Sequence, residues 1–256
     1  MHELLGEAYL GMIEKLAERT ADMHLALASL EGEQAFVPEP FTTLYQRSIY
    51  QAMCEQVKRT VILIREIKSS LSEEQQQLCS LLLQKHKQIL QQFDPVRAEK
   101  IDTLKIRIHG DFHLGQVLYT GKDFVIIDFE GEPAKSLSER KIKRSVFRDI
   151  SGMLRSFDYA AFNVLHRGSS VFRPEDRAVL EPWADRWSFY VGQHFIDTYF
   201  EKTAGSDIVP ADPKQREHLM RAYLMNKAVY ELNYELNNRP QWADIPLRGI
   251  LKILES

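Results

Sequence analysis

His109-Gly110-Asp111, then Gln116 five residues after that aspartate, then Asp128-Phe129-Glu130, gather carboxylates, an amide and an imidazole in one short stretch. Phosphoryl transfer needs such a set. A carboxylate orients or deprotonates the acceptor hydroxyl, and oxygen ligands hold magnesium against the phosphates. In this reading Asp111 works on the acceptor, while Gln116 and Asp128 serve the metal–nucleotide centre. Two other readings compete. Each aspartate can fix a turn at a strand end, with His109 a hydrogen-bonded core group. His109 and His113 also stand four apart, as in helical zinc sites. Gly110 breaks that helix, however, and the Glu that a zinc protease places between its histidines is missing. The order and spacing of the whole set favour phosphoryl transfer.

The elements that must position these residues read as mostly helical. Leu4, Leu5, Ala8, Met12, Ile13, Leu16, Met23 and Leu27 recur at helical spacing and predict a first helix over 1–30. Residues 31–43, with Gly32, Pro38 and Pro40, read as a connection. A helix over 44–68 and another that starts at the Ser72-x-x-Gln75 capping box and runs to Phe93 predict a helical hairpin over 44–93. The period then changes. Residues 104–108, 117–119 and 124–127 read as short strands, the last two joined by Thr120-Gly121-Lys122-Asp123. The catalytic and metal-binding loops therefore fall within 104–133. Helices resume over 145–166, 175–203, 213–237 and 246–254, with Trp183 and Trp187 a packing pair on a helix begun by Pro182. The fold class is α+β, mostly helical, with a short catalytic β hairpin.

Composition narrows the class. The chain has 256 residues, 44% hydrophobic and 27% charged, with 12 Gly and 10 Pro, which excludes a disordered, collagen-like or disulfide-dense chain. A balance of 33 basic against 36 acidic residues argues against a general nucleic-acid partner. The basic run Lys135, Arg140, Lys141, Lys143, Arg144 and Arg148 reads as a solvated loop or a surface near anionic phosphate. Cys54 and Cys79 read as reduced thiols, and no apolar stretch is long enough for a membrane span. A cytoplasmic location is expected.

An acceptor needs its own groups. Arg148, Asp149, Arg155, Asp158 and Tyr159 share helical spacing and can offer a polar face, or else form a network tying that helix to the catalytic loop. Near the end of the chain Tyr230, Glu231, Tyr234, Glu235 and Arg239 crowd one helix, followed by Trp242, a density that suits either a sugar platform or partly buried packing.

Residues 109–118 (HGDFHLGQVL), 128–133 (DFEGEP), 148–161 (RDISGMLRSFDYAA), the tail 230–250 and residues 19–27 (RTADMHLAL) resemble the maltokinase family. The resemblance implies the C-terminal lobe of a protein-kinase-like or aminoglycoside-phosphotransferase-like fold, transferring the ATP γ-phosphate to maltose to give maltose 1-phosphate. It implies Asp111 as catalytic base with His109 orienting its loop, and Gln116 and Asp128 as Mg²⁺ and nucleotide ligands. Glu130 is implied as a further metal ligand, and His113, Arg148, Asp149, Arg155, Tyr159, Tyr234 and Glu235 as the acceptor side. No G-x-G-x-x-G precedes Asp111, so an N-terminal ATP-binding lobe is expected outside this chain, and a trehalose synthase domain is an expected partner. An aminoglycoside- or choline-kinase-like phosphotransferase and a non-catalytic kinase-like domain are the alternatives.

Overall fold

The computed structural model describes residues 2–29, 34–166 and 173–255, so the expected connection at Gly32 lies outside the described residues. In chain order the elements are α1 (His2–Leu5), α2 (Glu7–Ser29), β1 (Glu39–Pro40), α3 (Thr43–Ile67), α4 (Glu73–Gln91), α5 (Asp94–Ala98) and β2 (Leu104–Lys105). After these come β3 (Val117–Tyr119), β4 (Phe124–Ile126), α6 (Leu137–Arg140), α7 (Phe147–His166), α8 (Arg177–Lys202), α9 (Pro213–Asn238) and α10 (Asp244–Glu255).

The chain divides into two compact units: residues 1–40 with 103–211, and residues 41–102 with 212–256. In the first unit α2 and α7 both pack on α8. Val191, Phe195 and Tyr199 repeat every four residues on α8 and are fully buried, as are Ile150 and Met153 of α7 and Ala17 and Ala21 of α2. Two small antiparallel pairs complete the unit, β1 with β2 and β3 with β4. In the second unit α3 packs on α9 and α4, and α10 on α9 and α4. Its core is built from Val57, Ile64, Cys79, Leu82, Ile89, Leu219, Met225, Leu232 and Ile250. Buried Gln46 ties the chain after α5, donating to the carbonyls of Val96 (2.6 Å) and Glu99 (2.7 Å) and accepting from the Ile101 amide (3.2 Å).

Side-chain caps open α3 at Thr42, α4 at Ser72, α6 at Ser136 and α9 at Asp212. Ser72 and Gln75 form the reciprocal box ahead of α4. Four expectations need correction. The first helix is broken at Gly6, which has φ +75°, and Leu4 lies exposed on the short piece before it. The expected connection over 31–43 contains a strand, β1, whose Glu39 pairs with Lys105. Pro182 lies inside α8 and does not begin it; the ring sits near the helix start, where it removes one early amide. The two tryptophans also part company. Trp187 packs edge-on against Phe157 at 6.4 Å, while Trp183 is 46% exposed with Arg186 over its ring.

Three residues of the basic run are bound within the protein. Lys143 is buried and reaches Glu39 (3.0 Å) and the Gln34 carbonyl (2.9 Å), and Lys105 takes the other oxygen of Glu39 (2.5 Å). Arg140 donates to the carbonyls of Lys135 and Pro133, and Arg148 pairs with Glu132 at 3.0 Å. These contacts tie down Arg140, Lys143 and Arg148, while Leu137, Lys141 and Ile142 of the same segment stay exposed.

Candidate active site

The loop between β2 and β3 carries His109, Asp111, His113 and Gln116. The β3–β4 ladder, in register Val117↔Ile126, Leu118↔Val125 and Tyr119↔Phe124, is extended by the Ile127 amide donating to the Gln116 carbonyl at 3.0 Å. That pairing sets the end of the loop beside the end of β4. The Gln116 amide group consequently donates to Asp128 Oδ2 at 3.0 Å. Sequence spacing put these two residues together, and the structure does the same.

Asp128 has φ +64° and is the one non-glycine residue in the left-handed region among the described residues. Aspartate tolerates that region better than most side chains, and residues held there cluster at functional sites. The hairpin turn is fixed from α2. Arg19 makes a bidentate pair with Asp123, Nε and Nη2 each 2.9 Å from an oxygen, and its Nη1 reaches Asp22 at 2.8 Å. Arg19, then the Phe124 amide, hold the Asp123 carboxyl down at about 2. Because the folded value lies below the unfolded one, the pair's stabilising effect is complete above about pH 4 and is lost as pH falls through about 2. Arg19→Met should therefore remove part of the acid sensitivity of the hairpin between those values, measured by Tyr119 and Phe124 NMR shifts against pH.

His109 stitches the loop to the strand before Asp128. It is buried, donates from Nε2 to the Ile127 carbonyl at 2.8 Å, and accepts at Nδ1 from the Asp111 amide at 3.4 Å. Its ring lies between Phe112 (5.3 Å) and Phe129 (5.1 Å). Gly110 and Gly131, both at positive φ, let the two loops pack backbone to backbone. A Cβ on Gly110 would stand 3.6 Å from the Gly131 Cα. The Asp111 carboxylate, half-buried, accepts no hydrogen bond from any described residue.

One face of α7 grips this loop at three points. Asp149 accepts the amides of His109 (2.7 Å, Oδ2) and Gly110 (2.9 Å, Oδ1), and Ser156 Oγ accepts the Leu114 amide at 3.2 Å. Between them Gly152 lies directly under the Phe112 carbonyl, where a Cβ would overlap the oxygen. Positions 149, 152 and 156 share one face at helical spacing. Gly152→Ala should cost about 1–3 kcal/mol, an overpacking penalty against backbone that cannot swing away. Urea unfolding of the variant measures it; an unchanged midpoint would mean that the helix and loop are not in contact.

This geometry reassigns several acceptor-side candidates. Asp149, expected among the sugar contacts, is 1% exposed with both oxygens on loop amides, which matches the network reading instead. Burial alone would raise its pKa, but the hydrogen bond from His24, the electrostatic pull of the His24 and His109 rings and the Gly110 amide outweigh that, so the net direction is downward. Arg155 is buried against Asp158 at 2.5 Å with Tyr159 beside its guanidinium. His113 Nδ1 accepts the Gly115 amide at 3.0 Å and caps the short turn that delivers Gln116. In the second unit Glu235 is buried and held bidentately by Arg239 at 2.7 and 2.9 Å, while Tyr234 remains exposed with Arg239 over its ring.

The donor set suits magnesium of a particular kind. Among the described residues no three His, Cys, Asp or Glu side chains form a group that could hold a metal. Asp111, Asp128 and Glu130 thus do not form such a group. One carboxylate beside one amide, Asp128 with Gln116, fits an ion that takes its remaining ligands from phosphate and water.

Solved glucosamine kinases share this fold, a helical body with a short hairpin. The chain superposes on one crystal form with a TM-score of 0.75 and 24% identity, over 97% of this chain and 54% of that one. It superposes equally, at 0.75 and 24%, on a glucosamine kinase in complex with glucosamine, ADP and inorganic phosphate, covering 96% and 55%. In sequence the chain is similar to the glucosamine kinase of Streptacidiphilus jiangxiensis, 28% identical over 149 residues, 58% of this chain and 32% of that protein. It is also similar to the glucosamine kinase of Mycolicibacterium smegmatis, 26% identical over 149 residues, 57% and 34%. These matches span about a third of the curated relatives and about half of the solved chains. No family model matches the sequence. No helix among the described residues is long and apolar enough to cross a membrane.

Proposed function

We propose that this chain supplies the catalytic base and the metal ligands of an ATP-dependent sugar kinase. The observation that carries the proposal is the Gln116–Asp128 contact at 3.0 Å, set beside an Asp111 whose loop is gripped from behind while its carboxylate stays free. Asp111 accepts the proton of the attacking sugar hydroxyl and aims its oxygen at the γ-phosphate. Gln116 and Asp128 hold Mg²⁺, which when bound neutralises charge on the phosphate oxygens. His109 keeps the two loops in mutual register. Glu130, exposed beside Asp128, and the Arg148–Glu132 pair flank this centre in sequence. Tyr159 is the aromatic face proposed for the acceptor side, with Arg155 beside its ring, and Asp149 supports the loop that carries Asp111.

The motifs at 109–118, 128–133 and 148–161 support maltose as acceptor and maltose 1-phosphate as product. An amino sugar is the second reading. The named relatives favour it, and so does the pairing of Arg148 with Glu132 and of Arg155 with Asp158, since neither arginine then presents a bare charge against a cationic acceptor. We place the Gly-rich turn and the lysine that cover the nucleotide phosphates in a lobe outside these 256 residues, with a trehalose synthase domain as a proposed partner. The test is ADP release by the intact protein with Mg-ATP and, separately, maltose, glucosamine, glucose, an aminoglycoside and choline, followed by phosphorus NMR of the product. Phosphate on the anomeric oxygen of maltose is expected. Turnover with glucosamine alone would select the second reading, and turnover with no acceptor would overturn both.

A further inference from the structure

We propose that His24 is a positioning residue of the phosphoryl-transfer site, holding the Asp149 carboxylate in the orientation that grips the catalytic-loop amides, with Tyr199 holding the imidazole in turn. The proposal rests on the phosphotransferase reading of that loop. His24 on α2, Asp149 on α7 and Tyr199 on α8 are 0%, 1% and 0% exposed, so none of them can touch a substrate. Each acts only through what it holds.

The hydrogen bonds form one line from the helix core to the loop. His24 Nε2 lies 3.3 Å from Asp149 Oδ2, the oxygen that also accepts the His109 amide at 2.7 Å. Oδ1 accepts the Gly110 amide at 2.9 Å. A carboxylate has no proton to give, so Nε2 carries one and donates it. The other ring nitrogen, Nδ1, is 2.8 Å from the Tyr199 hydroxyl, and the two rings meet edge-on at 5.7 Å. Burial first, and then the Asp149 charge, push the Tyr199 hydroxyl well above its ordinary value, so it stays protonated.

Packing alone does not account for this trio. An aliphatic residue at position 24 would fill the same space between helices without burying a polar ring against a buried carboxylate. What the imidazole adds is direction. The two loop amides take one carboxylate oxygen each, and a third donor from the opposite helix ties that carboxylate to the core as well as to the loop, which narrows its Cβ–Cγ torsion further. The gripped amides belong to His109 and Gly110, and the next residue is Asp111. A tilt at Asp149 is therefore delivered to the base.

The test uses the intact protein with His24→Leu, His24→Gln and Tyr199→Phe, read by steady-state kinetics and by amide exchange at residues 109–111. The Leu variant should lose about 10- to 100-fold in kcat with KM for sugar and Mg-ATP within about threefold, and its His109 and Gly110 amides should exchange at least about tenfold faster. Gln carries an amide nitrogen where the imidazole has Nε2, and should restore kcat to within about threefold of wild type. Native exchange and native kcat in the Leu variant would overturn the proposal, as would a Gln variant as impaired as Leu, which would mean that ring packing is what matters. If His24→Leu does not fold, Tyr199→Phe decides, since it removes one oxygen and keeps the ring. Faster exchange at 109–111 then supports the proposal and unchanged exchange overturns it. A wild-type protein that phosphorylates no sugar would sink the kinase reading, while the exchange measurement would still decide whether His24 orders the loop.

Discussion

Asp128→Asn is expected to lower the turnover of the intact protein by on the order of 10²–10³ and to move its magnesium dependence to higher concentration. The substitution is unusually clean at this position. Asp128 sits at φ +64°, and Asn is among the few residues that accept the left-handed region with little strain. The side chain keeps its volume, and its remaining oxygen can still accept from the Gln116 amide now 3.0 Å from Oδ2. Only the negative charge is removed. With no third acidic or imidazole ligand gathered there among the described residues, no neighbouring group can take over its share of a dication. Thermal melts should be nearly unchanged, because the buried contacts of the two loops run through His109, Gly110 and Gly131 and not through this carboxylate. Wild-type turnover with wild-type magnesium dependence would remove Asp128 from the metal site. A large fall in melting temperature would instead assign it to the turn.

The parts of this site that were legible in the sequence are those encoded locally. An aspartate five residues before an amide, a glycine turn between two short apolar runs and a second aspartate at the end of the next run leave few ways to arrange the backbone. The Ser72 capping box marked the start of a helix because a side-chain oxygen meets an orphan amide three residues on. Two-residue strands carry no period, so β1 could not be seen without its partner at Lys105. The direction of a charged side chain was equally illegible. Asp149 and Arg155 occupy the spacing that a sugar-binding face would have, yet both point inward, because the helix lies against a loop whose amides need acceptors. Glu235 likewise closes on Arg239 one turn away. His24 left a trace that could have been read. It is a polar residue continuing the stripe of Ala17, Thr20 and Ala21 on the buried face of α2, and such a residue needs a partner on another element.

Asp111→Asn should cost about 10²–10⁴ in kcat, the range of a general base, while affinity for Mg-ATP stays within a few-fold. The separation follows from how the loop is held. The backbone around Asp111 is fixed by groups other than its own side chain: the His109 and Gly110 amides on Asp149, the Asp111 amide on His109 Nδ1, and the Leu114 amide on Ser156. Its carboxylate accepts no hydrogen bond from any described residue, so an amide in its place breaks no internal contact and adds a donor at a half-buried position. Stability should therefore be close to wild type. What is lost is the acceptor that aligns the sugar hydroxyl and takes its proton, an interaction that strengthens only as the oxygen attacks phosphorus. The loss should appear in kcat with little change in the sugar KM, provided substrate release is faster than chemistry. If Asp111 served only to brace the loop, the variant would instead melt earlier and bind nucleotide more weakly, with kcat falling in step. Melting curves, ATP titration and steady-state kinetics on one preparation separate the two, and a stable Asp111→Asn enzyme with near-wild-type turnover would exclude the base.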